Sequence, residues 1–192
     1  MPVEHPAETY AQRASLRTAE FAALRQTVSG RGTARMVMMP VTCAVWATLA
    51  VVLFVFGQLA TTSLLPLAVL VGGFEAIHAL HVGAERIGRY LQVQYEAGAD
   101  GPQWETAAMT VGPALPGGGV DPLFSVVFIG AAALNLLFTL EPPPPWPELA
   151  VVGACHAAFV FRVVRARIAA ARQRAVELES FRALLLRQRD RE

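Results

Sequence analysis

The chain has 192 residues, 54% of them hydrophobic and 16% charged, with a net charge of +1. Soluble domains carry about 25% charged residues, so the composition argues against a soluble globular protein. The near-zero net charge argues against a nucleic-acid partner. All sixteen basic residues are arginine, and they are segregated along the chain. The two cysteines, Cys43 and Cys155, fall in apolar runs and are expected to behave as small hydrophobes rather than as a disulfide.

Taken in chain order, residues 6–28 are expected to form an amphipathic helix. Tyr10, Leu16, Phe21, Leu24 and Val28 form a loose apolar stripe among arginines and glutamates. Ser29-Gly30-Arg31-Gly32 is expected to break that helix. The first 35 residues lack the short apolar core of a cleavable signal peptide, and none is expected. The first membrane span is expected at 36–57, uncharged throughout, with Pro40 in its first turns. A turn over 58–62 leads to the second span, 63–82. Its helix continues past the membrane through Arg86, Arg89 and Tyr90 to about Glu96.

Residues 97–121 are rich in Gly and Pro and form a long cytoplasmic loop, with a one- or two-turn helix over 103–109 and Trp104 as an interface anchor. The third span is expected at 122–140. Pro142 to Pro145 favour polyproline II, a stiff outer connector. The fourth span is expected at 148–164. Its periodicity runs on without Gly or Pro toward Arg187, giving one long helix that leaves the membrane. The fold class is thus an all-α integral membrane protein: a four-transmembrane-helix bundle over 36–164, an amphipathic N-terminal helix within 1–35, and a cytoplasmic C-terminal helix over 165–192.

Arginines precede the first span, follow the second and follow or end the fourth. The connectors 58–62 and 141–147 have none. By the positive-inside rule both termini are cytoplasmic, and a bacterial inner membrane is expected.

One segment carries chemistry-bearing residues. Glu75, His78, His81, Glu85, Arg86 and Arg89 fall within roughly 140° of one another at about 100° per residue. Such a stripe must turn inward in lipid. Glu75 and His78 lie near mid-depth, and His156 of the fourth span and Asn135 of the third lie close to that level. Glu75, His78, His81, Asn135 and His156 are therefore expected to form an intramembrane polar cluster. Four readings fit it. It is a hydrogen-bonded network that fixes helix register, a b-type haem with His78 and His156 as axial ligands, a metal site using His78, His156 and Glu75, or a proton or ion path through Glu75. Glu85, Arg86 and Arg89 are read as a solvated interfacial charge cluster.

Beyond the membrane, Ile168, Leu178, Phe181 and Leu185 make a seam near coiled-coil spacing. It is expected to pack on residues 6–28, on a second copy, or on another protein. No catalytic nucleophile motif or Walker-type loop occurs. The function expected is therefore non-enzymatic: a multi-pass membrane protein that acts in the bilayer by assembly, as a homo-oligomer or as a subunit of a larger complex. A haem electron-transfer protein and an ion pore are the alternatives.

Overall fold

The computed structural model describes residues 6–56, 59–97, 103–111, 121–141 and 143–189. Gly57 of the expected first span, Gln58 of the expected turn, most of the Gly/Pro-rich loop (98–102 and 112–120) and Pro142 fall outside them. The described residues are 92% helix with no strand. Five helices follow in order: α1 (Pro6–Phe56), α2 (Leu64–Leu91), α3 (Trp104–Val111), α4 (Ser125–Phe138) and α5 (Trp146–Arg189). A 3-10 turn (Ala60–Ser63) enters α2, and a π-helical turn (Gln92–Glu96) leaves it.

Among the described residues, three helices are long and apolar enough to cross a membrane: α1, α2 with its flanking turns, and α5. The third expected span is shorter. α4 is apolar but has 14 residues, about 21 Å at 1.5 Å per residue. It starts at Ser125 rather than Pro122. The carboxylate of Asp121 accepts the backbone N–H groups of Leu123 (3.1 Å) and Ser125 (2.7 Å), which holds residues 121–124 in a turn. Phe124 sits there in the left-handed region at φ 52°.

The expected break at Ser29–Gly32 does not occur, and α1 runs unbroken for 51 residues. Glycine inside a helix costs about 1 kcal/mol relative to alanine, a sum that lateral packing offsets. α1 lies antiparallel along α2 over its length. Phe21 meets Tyr95 at 5.3 Å, Glu20 accepts from Tyr90 Oη at 2.9 Å, Arg35 reaches His81, and Thr42 lies against Gly73. Pro40 is accordingly interior to the helix, where its missing N–H leaves the Met36 carbonyl without an i+4 donor.

α5 runs parallel to α2. Glu148 accepts the Thr61 N–H at one end (3.1 Å), and Glu177 meets Arg89 at the other. α4 fills the gap between them. The core is Leu67, Leu70, Phe74, Ile77, Phe128, Ala131, Ala132, Phe159 and Val163. At its centre Phe74 is fully buried and meets Phe128 and Phe159 edge-to-face, at 5.4 and 6.0 Å, the geometry aromatic quadrupoles prefer.

The molecule thus has a turn end, with residues 59–63 and 139–145, and an arginine end, where α1, α2 and α5 extend beyond α4. At the arginine end the α5 seam packs on the α2 extension rather than on residues 6–28. Phe181 meets Tyr90 at 5.7 Å, and Leu185 lines a recess with Val93 and Glu96. Leu178, Phe181 and Leu185 are partly covered, whereas Ile168 is exposed. The rigid continuation of α2 is the nearest apolar surface to α5, and α1 occupies its opposite side.

Candidate functional site: three polar layers between the helices

The five residues expected to form one cluster are distributed over three levels. Nearest the turn end, Asn135 and His156 are 2% and 3% exposed. Asn135 Nδ2 donates to the Ser63 carbonyl (3.0 Å) and to His156 Nε2 (2.9 Å). His156 Nδ1 donates to the Val152 carbonyl at 2.8 Å. This network fixes the imidazole as the Nδ1–H tautomer and joins α4, α5 and the entry to α2. Beside it opens a cavity of about 510 Å³, with Asn135, Ser63, Phe54, Phe138 and Glu148 among its walls.

The middle layer joins α2 and α5. Arg162 Nη2 donates to Glu75 Oε2 at 2.8 Å and lies 3.5 Å from His78 Nδ1. The Arg162 guanidinium also sits over the Phe74 ring, 5.9 Å from its centre, within cation–π range. Arg162 was read from sequence as an arginine ending the fourth span. Its long side chain spans the groove to the carboxylate at the same level of the facing helix, which hydropathy does not register. The two side chains are each 42% exposed, on the outer side of the α2–α5 groove. The carboxylate of Glu75 is held by a guanidinium.

The third layer joins α1 and α2. Arg35 Nη1 donates to His81 Nδ1 at 3.0 Å. His81 is buried, and the partner that buries it comes from α1, a helix the single-cluster reading did not use.

His78 and His156 do not converge. Glu75 meets Arg162, so the level of His78 on α5 falls near residue 165, about nine residues or roughly 13 Å past His156. Both nitrogens of His156 are already engaged, so neither offers a free lone pair to iron. The residues present do not fit a haem bridged between these helices. Nor do His78, His156 and Glu75 form one metal-ligand set: among the described residues no group of three or more His, Cys, Asp or Glu side chains could hold a metal ion.

The charge cluster past the stripe is built differently from a solvated interface. Arg86 is exposed, but the Arg89 side chain is 5% exposed. Arg89 pairs with Glu85 at 3.2 Å, the expected i,i+4 contact, and with Glu177 of α5, which also accepts from Arg86 at 3.2 Å. Burial raises the Glu177 pKa, but hydrogen bonds from Gln173, Arg89 and Arg86 outweigh it and hold the carboxyl below its usual range. On the other side of α2, Glu96 receives the N–H groups of Glu105 (2.7 Å) and Thr106 (2.8 Å) and so caps α3. Glu105 in turn pairs with Arg25 of α1. Burial raises the Glu105 pKa, and Arg25 only partly reverses this.

Fold and site together define an all-helical protein with three helices able to cross a membrane, tied at three levels by polar contacts. No protein-family model, curated protein or solved structure matches the chain.

Proposed function

We propose that the chain is a four-span membrane protein with both termini cytoplasmic, and that it works by assembly in the bilayer, through the α2–α5 groove. α4 is the short third crossing, and the arginine end faces the cytoplasm, as the positive-inside rule requires.

The observation that supports assembly is the exposure of the Glu75–Arg162 pair. Glu75 lies twelve residues past Ser63, about 18 Å along its helix. Arg162 lies sixteen residues past Trp146, about 24 Å along its own. Both depths fall inside a hydrocarbon core of about 30 Å. A charged side chain at the centre of a membrane helix costs about 2.5–3.5 kcal/mol on insertion scales. Pairing relieves that cost only on the side where the partners meet. The other side faces acyl chains in a lone copy.

A second copy related by a two-fold axis carries the complementary charges in reverse order, as an isologous contact requires. Beside the pair, α2 presents Ala68, Gly72 and Ala79, all exposed, and α5 presents Cys155 and Ala158. Small residues of this kind let membrane helices approach closely.

The test is the mass of the purified chain in mild detergent and in nanodiscs. A multiple of 20.6 kDa is expected for the wild type. Glu75→Ala and Arg162→Ala should each lower it, and the exchange Glu75→Arg with Arg162→Glu should restore it. A wild-type monomer would exclude the homo-oligomer. In that case a crosslink from Cys155 to a different polypeptide in native membranes would identify a subunit of a larger complex. No crosslink would refute the assembly reading.

A further inference from the structure

The geometry points to a binding recess between α1 and α2 at the arginine end, built for the phosphodiester of an anionic phospholipid. It is a cavity of about 180 Å³, with Arg31, Gly32 and Arg35 of α1 and His81, Glu85 and Gly88 of α2 among its walls. That is room for a headgroup phosphate, not for acyl chains.

Three observations carry the inference. Arg35 Nε is buried and has no hydrogen-bond partner, although Nη1 of the same guanidinium is anchored on His81. An orphaned charged donor in a recess costs its full desolvation unless an acceptor arrives. The Arg31 guanidinium makes no hydrogen bond among the described residues, and it lies in the notch left by Gly83. A methyl group there would stand 2.9 Å from Arg31 Cζ and nearer still to Nη1. The missing side chain lets the second guanidinium lie flat between the helices.

The third observation is the state of the two carboxylates that line the recess. Glu85 is paired with Arg89, and Glu105 with Arg25. Each is neutralised from outside, so the uncompensated charge in the recess is that of Arg31 and Arg35. Guanidinium forks match phosphate oxygens geometrically.

The level of the recess selects the source of the phosphate. Gly83, against which Arg31 lies, is twenty residues past Ser63, about 30 Å along α2. In the proposed topology that is where a hydrocarbon core of about 30 Å ends and the headgroups of the cytoplasmic leaflet begin, and basic pockets between membrane helices there take anionic lipid headgroups. The inference rests on the membrane reading but not on assembly. It also gives a purpose to Gly32, which lines the recess and leaves the α1 surface bare there.

The test uses the full chain reconstituted with phosphatidylglycerol and phosphatidylcholine of matched acyl chains. Native mass spectrometry then counts the lipid of each kind that is retained. The wild type should hold phosphatidylglycerol preferentially, and Arg31→Gln should weaken that preference by about tenfold or more, the loss of a hydrogen bond between charged groups. Arg35→Gln should weaken it comparably, and Arg35→Lys should keep part of it. Arg165→Gln, on α5 at the same end, should leave it unchanged. Equal retention of the two lipids overturns the proposal, and so does an Arg165→Gln effect equal to that of Arg31→Gln, which would make the preference bulk charge. Titration of the delipidated chain with inorganic phosphate separates the sources. Phosphate binding that is lost in Arg31→Gln, without lipid preference, overturns the lipid assignment in favour of a soluble phosphate. The same spectra report subunit number, so a monomer that keeps phosphatidylglycerol excludes the homo-oligomer and leaves this site standing.

Discussion

Two adjacent glycines of α2 offer a sharp test of how α1 is seated. A Cβ on Gly73 would lie 2.8 Å from Thr42 Cβ, and closer still to Thr42 Cγ2 and Oγ1. Thr42 is 8% exposed and β-branched. A rotation about χ1 moves its oxygen and methyl but not its Cβ, so the backbones themselves must separate. Overpacking of this kind costs about 1–3 kcal/mol. The substitution also gains about 1 kcal/mol of helix propensity. Gly73→Ala should therefore destabilise by up to about 2 kcal/mol. A Cβ on Gly72 meets nothing within 4 Å, so Gly72→Ala should gain the propensity alone and stabilise the monomer by up to about 1 kcal/mol. Neighbouring, chemically identical substitutions should thus differ in sign. Reversible unfolding in bicelles measures both. Thr42→Ala removes the two nearest atoms and should couple to Gly73→Ala with an energy of about 0.5–3 kcal/mol, and with nothing resolvable to Gly72→Ala. Equal shifts for the two glycines, or no coupling to Thr42, would refute the close approach of α1 to α2.

Asn135→Ala should destabilise by about 0.6 kcal/mol per interhelical hydrogen bond and by no more than about 1.7 for each; the same unfolding assay checks it, and an effect no larger than Val126→Ala on the exposed face of α4 would count against the network. Phe181→Ala combined with Leu185→Asp should expose the arginines of 172–187 to trypsin while residues 13–35 stay protected. Release of the N-terminal segment instead would place the seam on α1. Glu177 has a folded pKa below its unfolded value, so its stabilising contribution is complete above the ordinary glutamate value of about 4.3 and is lost as pH falls through the lower folded value. A spin label at the exposed Leu184 should gain mobility below about pH 4, and Glu177→Gln should flatten that response. An unchanged pH profile in the variant would assign the release to another carboxylate.

Hydropathy made the apolar helices legible, because a run of about 20 apolar residues has few other uses. The continuation of α2 to about Glu96 and of α5 toward Arg187 was legible from helical periodicity uninterrupted by Gly or Pro. The continuity of α1 was not. Gly30 and Gly32 read locally as a break, and what offsets their cost is the packing of Arg25, Arg31 and Arg35 on Glu105, Gly83 and His81, residues 46 to 80 positions away. Periodicity placed Glu75, His78 and His81 within one sector of α2. It could not say that two different helices would answer them, α5 for Glu75 and His78 and α1 for His81, because that depends on the axial offset between helices. Arg162 and Arg35 were counted by sequence as topology markers, and both prove to be partners of the stripe. The burial of Arg89 was hidden for a related reason. Its i,i+4 partner is visible in the sequence, whereas Glu177 arrives from a helix 88 residues on.

The length of α1 has a mechanical side. Its 51 residues make a rod of about 76 Å, and in the proposed topology the part before residue 36 stands some 45 Å clear of the hydrocarbon. Without a hinge, a tilt of about 10° at the membrane would sweep its tip about 8 Å sideways. α1 then acts as a lever arm whose one break in the hydrogen-bond ladder is at Pro40: a load applied near Tyr10 is carried to that point, within one turn of Thr42 and Gly73, and a rearrangement among the spans is magnified on its way out.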